Sequence, residues 1–186
     1  MANVDRPFGA RVVGTLSGSH TARATRYRAN EPSNTIYVGQ FVKFDTNGYV
    51  EPAESGDTFL GVVIGVGNSD EQTHGEAGLF NPRDLENEGS RSIDTDEEGI
   101  VLVADEPHTV FEIQAADWVE DLTPGATKDI TNELDGDTVS GNSLVELNSL
   151  DENSDVRVID WRRDPENDPG EEHAVYHVVI NNHVFK

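Results

Sequence analysis

The run Phe59-Leu-Gly-Val-Val-Ile-Gly-Val66 constrains the fold of this chain more than any other segment. It is far shorter than the roughly 20 residues of a membrane-spanning helix. Rich in β-branched residues and lacking helical spacing, it reads as a buried strand. Gly61, Gly65 and Gly67 mark tight bends or close strand approaches. Just upstream, Gln40-Phe-Val-Lys-Phe44 leads through Asp45-Thr-Asn-Gly48 into Tyr49-Val50, a hairpin pattern with Asn47-Gly48 as the positive-φ pair. Residues 36–67 therefore predict a small barrel unit of strand, turn, strand, loop, strand.

The rest of the chain continues in short strands and turns, with no βαβ rhythm and no internal repeat. Ile100–Val103 and Thr109–Ile113 flank Asp105-Glu-Pro-His108 and read as a core hairpin. Ala115–Leu122 predicts two helical turns stopped by Pro124-Gly125, with Trp118 and Leu122 on one face. Val156, Val158 and Asp160 alternate with Arg157, Ile159 and Trp161, and His173–Phe185 forms a long final strand. The expected fold class is mostly β: a small barrel or sandwich body with an extended N-terminal arm and one short helix. The arm covers residues 1–35 and the body 36–186. The body divides into lobes at 36–67 and 100–186, separated by an acidic insertion at 68–99.

Charge narrows the function classes. The chain has 36 acidic and 13 basic residues, a net of −23, and no cysteine. Nucleic-acid binding by the whole protein is excluded, because phosphate contacts need a basic face. Thiolate metal sites and cysteine nucleophiles are excluded as well. With no membrane span and no hydrophobic signal segment, a soluble protein made inside a cell is expected. Strand-length apolar runs argue against disorder. A carboxylate coat on a folded body suits very high salt, where charge repulsion is screened over about 3 Å at 1 M. The charge is also split. Residues 1–30 hold Arg6, Arg11, Arg23, Arg26 and Arg28 against Asp5 alone, a net of +4, while residues 31–186 carry −27. Arginine suits bidentate carboxylate contacts. A basic leader on an acidic body is open to three readings: a disordered tail, an arm folded back on its own body, or an arm for another acidic surface, docked through Phe8, Val12–Val13 and Leu16 and anchored by Tyr27. On the last of these, removing residues 1–30 leaves the body folded.

No catalytic constellation emerges. His173, His177 and His183 share strand parity, but neighbours four apart in a strand are separated by about 13 Å, too far to share one metal. Asp94-Thr-Asp96-Glu97-Glu98-Gly99 lacks the calcium-loop order. Ser17-Gly-Ser-His20 has no third partner, and Gly61-Val-Val-Ile-Gly65 is not a phosphate loop. Catalytic residues, cofactor and metal ligands are all assigned as none. Arg157, Trp161, Arg162 and Arg163 form a further candidate patch, open to two readings: an interface anchor, or pairing with Asp164, Glu166 and Asp168 of the same chain.

Several segments resemble head-decoration, or capsid cement, proteins of tailed viruses. These are the opening Met1-Ala-Asn-Val-Asp-Arg-Pro-Phe-Gly-Ala-Arg11, then Val38-Gly-Gln-Phe-Val-Lys-Phe-Asp-Thr-Asn-Gly-Tyr-Val50 with Phe59–Gly65, then Val110-Phe-Glu-Ile-Gln114 and the ending Val178-Val-Ile-Asn-Asn-His-Val-Phe185. The resemblance implies a structural virion protein, not an enzyme, with a β-rich fold and no cofactor. It implies binding to the major capsid protein on the outer capsid surface, with assembly in the host cytoplasm and a homo-oligomer, trimer favoured. The leader would lie across capsid subunits, Arg11, Arg23, Arg26 and Arg28 meeting carboxylates and the segments near Val12 or Tyr27 adding a strand to a partner sheet. The acid load and the insertion point to a virus of a salt-loving, archaeal host. The alternatives are a turret or spike binding a host glycan or receptor, and a small metal-dependent β-fold hydrolase.

Overall fold

The computed structural model describes residues 3–68, 92–117, 123–169 and 171–186. Strands come first from the leader, β1 (Arg11–Thr15) and β2 (Ala24–Asn30). Next come β3 (Ile36–Tyr37), β4 (Phe41–Phe44), β5 (Val50–Pro52), β6 (Gly61–Asn68), β7 (Ser92–Ile93), β8 (Glu98–Ala104) and β9 (Thr109–Gln114). Short pieces follow: β10 (Thr127–Lys128), β11 (Ile130–Thr131), β12 (Gly136–Asp137), β13 (Asn142–Ser143) and β14 (Glu146–Leu147). Two longer strands close the chain, β15 (Val156–Trp161) and β16 (Val175–Ile180). Two five-stranded antiparallel sheets dominate, ordered β2-β8-β6-β4-β5 and β1-β9-β16-β15-β10.

The first sheet curls until Cα atoms of β2 and β5 approach within 8 Å, nearly closing a barrel. Phe59, Leu60, Val62, Val63 and Val66 are all buried, with Ile64 exposed, so this stretch packs on both faces and is continuously apolar rather than alternating. Val42, Val63, Val101 and Val103 fill the barrel interior. Phe41, Phe59, Val62 and Ala104 face the other way, against Phe111, Ile113, Val158, Tyr176 and Val178 of the second sheet. The Phe41 ring lies 5.2 Å from Phe59 and 6.3 Å from Phe111, centroid to centroid. Asp155, 1% exposed, clasps the two parts together. Its carboxylate accepts hydrogen bonds from Ser55 Oγ at 2.6 Å, Gly56 N at 2.8 Å and Ile130 N at 3.1 Å.

Four expectations are corrected. First, the leader is not an arm set apart from the body. β1 pairs with β9, and all seven residues of β2 pair with β8. Ala10 and Ala29 are buried, each 2% exposed. The cause is an alternation within β2: Thr25, Tyr27 and Ala29 face inward while Arg26 and Arg28 face solvent. Second, the lobe boundary does not fall at 68–99. β6 and β8, on either side of that segment, pair directly, with Asn68 opposite Gly99. The barrel instead sits between β1 and β9, neighbours in the second sheet. Third, Ile100–Val103 and Thr109–Ile113 are not a hairpin; they belong to β8 and β9 in different sheets. Fourth, no helix occurs among the described residues. Ala115 extends the second sheet instead, donating its N–H to Ala174 at 2.9 Å, and Ala116 donates to Leu147 at 3.0 Å. Residues 118–122, most of the expected helix with Trp118 and Leu122, lie outside the described residues.

The hairpin at Asp45–Gly48 links β4 and β5 as expected, with Gly48 at φ +84°. Asn47 does not need a positive φ, because Asp45 Oδ1 accepts its N–H at 2.8 Å and that of Tyr49 at 2.7 Å.

Candidate functional site

Both leader strands are the outermost strands of their sheets, and they carry Arg11, Arg26 and Arg28, while Arg6 and Arg23 lie just ahead of them. On β2, inward-facing Tyr27 packs edge-on to Phe44 across the barrel at 5.4 Å. That contact fixes the opposite face, so Arg26 and Arg28 project outward. Arg28 lies 3.9 Å from Glu98, both side chains well exposed. Such a pair contributes little. Arg26 has no ion pair among the described residues. Arg23 approaches buried Asp105 at 3.7 Å. Tyr27 also serves Asp105, donating its hydroxyl at 2.7 Å. Burial, reinforced by that bond, pushes the Tyr27 phenol up to about 12.

Residues 3–8, ahead of β1, are stitched to the second sheet. Gln114 is 4% exposed and serves as the hub. Its Oε1 accepts the Arg6 N–H at 2.9 Å, and its Nε2 donates to Val4 O at 2.8 Å and His173 O at 2.9 Å. Asn3 Nδ2 donates to Asp168 O at 2.9 Å and Glu172 O at 2.8 Å. Phe8 lies under the Arg11 guanidinium at 3.8 Å, and Arg11 meets Glu112 at 3.6 Å. Val12 packs against the main core. The apolar groups expected to dock on a partner, Val12 and Tyr27, are thus largely consumed within the chain.

The second patch resolves toward contacts within the chain. Arg162 pairs with Asp164 at 3.2 Å, as the intramolecular reading expects. Arg163 pairs instead with Asp160 at 3.2 Å and lies 5.3 Å from the Trp161 ring. Arg157 donates to Gly125 O at 3.1 Å and to Asn181 Oδ1 at 2.8 Å. Trp161 is half-buried and packs on the core. The fold nevertheless joins the two predicted groups at one place. Arg6 and Arg11 of the leader and Arg162 of the patch line one cleft of about 330 Å³, with Phe8, Asp164 and Glu166. In a chain of net −23 the cleft gathers three guanidiniums, though Arg11 is paired with Glu112 and Arg162 with Asp164, which leaves Arg6 as the lining guanidinium with no ion pair among the described residues.

The three histidines of the final segment do not converge. His173 sits in a turn ahead of β16, at φ +59°. His177 is half-buried on β16, opposite Glu112. His183 is buried beside Phe59, and its Nδ1 accepts the Phe185 N–H at 3.0 Å. Desolvation holds the His183 imidazole below its ordinary range. His173 instead meets two carboxylates that the sequence did not single out. Its Nδ1 is 3.8 Å from Asp5 Oδ1, and one ligand atom from each of Asp5, Glu146 and His173 lies within 4.8 Å of the others. Burial raises the Glu146 carboxyl above the usual range, and the charges of Asp5 and Asp117 add to the effect, while Asn132 and His173 oppose it.

Searches of protein-family models, curated proteins and solved structures found no match to this chain.

Proposed function

We propose that the protein is a structural component of a virus particle. It binds the outer surface of the major capsid protein shell and stabilises the head, without catalysis. The observation that carries this reading is the convergence of Arg6, Arg11 and Arg162 on one cleft. A cleft lined by guanidiniums in a strongly acidic protein fits a carboxylate-bearing segment of an equally acidic partner. Arg26 and Arg28, on the outermost strand β2 of the other sheet, supply further exposed guanidiniums. Attachment then depends on exposed guanidiniums held by rigid sheets, not on a tethered arm. Many weak contacts per particle add up when copies are linked, and a trimer would present three such faces around one axis. The resemblance to capsid cement proteins of tailed viruses, and the acid coat suited to a salt-loving archaeal host, favour the same reading.

Difference density between decorated and undecorated particles tests it. The expected result is density for this chain on the outer shell, with the cleft turned toward the capsid protein. Density at the particle interior, or a cleft facing bulk solvent, would overturn it.

A further inference from the structure

We propose that Asp5, Glu146 and His173 bind a divalent transition-metal ion, of the zinc or manganese class, that fastens the N-terminal segment to the body. The three residues come from the segment ahead of β1, from β14 and from the turn ahead of β16. Their ligand atoms all lie within 4.8 Å of one another. Ligands bonded to one ion at about 2.0–2.2 Å stand roughly 3.5 Å apart in a tetrahedral site. The trio must close by about 1.3 Å at most, and the His173–Asp5 distance is already 3.8 Å. Asp5 is exposed, so a side-chain rotation can supply the movement.

The independent sign of a missing ligand is Glu146. It is 6% exposed, and its Oε1 is buried with no hydrogen-bond partner. The other oxygen, Oε2, accepts from Asn132 Nδ2 at 2.9 Å. His173 Nδ1 is likewise buried without a hydrogen bond. A buried Glu146 oxygen left without a donor is costly, and a bound cation removes that cost, while His173 Nδ1 can serve the same ion in the tautomer that leaves it unprotonated. One imidazole and two carboxylates, without sulfur, suit zinc or manganese better than copper(I). Magnesium and calcium, which prefer all-oxygen sites, make less use of the imidazole. The inference does not depend on capsid binding.

Calorimetric titration and melting of the full chain at fixed high ionic strength test it, with zinc, manganese and magnesium as probes. The variants are Asp5→Asn, which leaves the core untouched, and His173→Asn, since asparagine tolerates the left-handed backbone there. Zinc or manganese should bind one-to-one and raise the melting temperature. Each variant should weaken that binding about tenfold or more. Absence of one-to-one binding would overturn the proposal. So would unchanged affinity in both variants, or an equal response to magnesium, since both point to the general acidic coat.

Discussion

The Tyr27 hydroxyl donates to Asp105 Oδ2 at 2.7 Å, tying strand β2 to the point where the chain leaves the barrel for the second sheet. Asp105 is 2% exposed, and its other oxygen has no hydrogen bond. Tyr27→Phe therefore leaves a buried carboxylate with no hydrogen-bond donor among the described residues. It should cost about 1–3 kcal/mol, read as a lower urea midpoint with an unchanged slope. An unchanged midpoint would show that the bond is dispensable.

The same tyrosine sets an alkaline limit. Burial pushes Tyr27 and Tyr176 up to about 12 from an ordinary 10.0. A group whose folded value is raised contributes stability below its unfolded value and loses it as pH rises through the folded one. Stability should hold to pH 10 and fall between 10 and about 12. Urea midpoints across that range should decline in the wild type and less steeply in Tyr27→Phe.

Two glycines of β6 should respond oppositely to alanine. A β-carbon at Gly61 would collide with the Ala104 carbonyl oxygen and lie 2.8 Å from Val103 Cγ1. At Gly65 the nearest atom is Leu102 Cβ at 3.8 Å, an ordinary contact. Gly61→Ala should cost about 1–3 kcal/mol or more, whereas Gly65→Ala should be near neutral or gain up to about 1 kcal/mol. Thermal denaturation of the pair decides it, and equal effects would contradict the close approach of β6 to β8.

The contrast between these glycines shows what was legible in the sequence. Phe59–Val66 announces a largely buried strand, and Gly48 announces its turn. The sequence marks Gly61 and Gly65 alike; only the Ala104 carbonyl, which lies against Gly61 and not Gly65, separates them. In β2 the alternation of Thr25, Tyr27 and Ala29 with Arg26 and Arg28 was present, but the net charge of the leader masked it. The hairpin expected across Asp105–His108 failed because pairing is non-local: β9 finds β1 and β16, far away in sequence. Arg6, Arg11 and Arg162 were each named, yet nothing in one dimension joins them in a cleft. The Asp5–Glu146–His173 trio had no local signal at all.

The paired leader reverses the expected outcome of truncation. Removing residues 1–30 deletes β1 and β2 with buried Ala10 and Ala29, and exposes the edges of β8 and β9. Such edges favour aggregation. Residues 31–186 should be poorly soluble or melt without a cooperative transition in circular dichroism. A cooperative transition at the full-length midpoint would contradict the pairing.

Capsid attachment is tested most directly by co-sedimentation with undecorated capsids, comparing wild type with Arg6→Glu/Arg26→Glu/Arg28→Glu at one fixed salt concentration. All three side chains are exposed, and Arg28 forms only a solvent-facing pair. Folding should therefore survive, with an unchanged melting temperature as the control. Salt is held constant because it screens the attraction being measured. The expected result is loss of the capsid-bound fraction in the variant. Undiminished co-sedimentation of the folded variant would contradict attachment through these arginines.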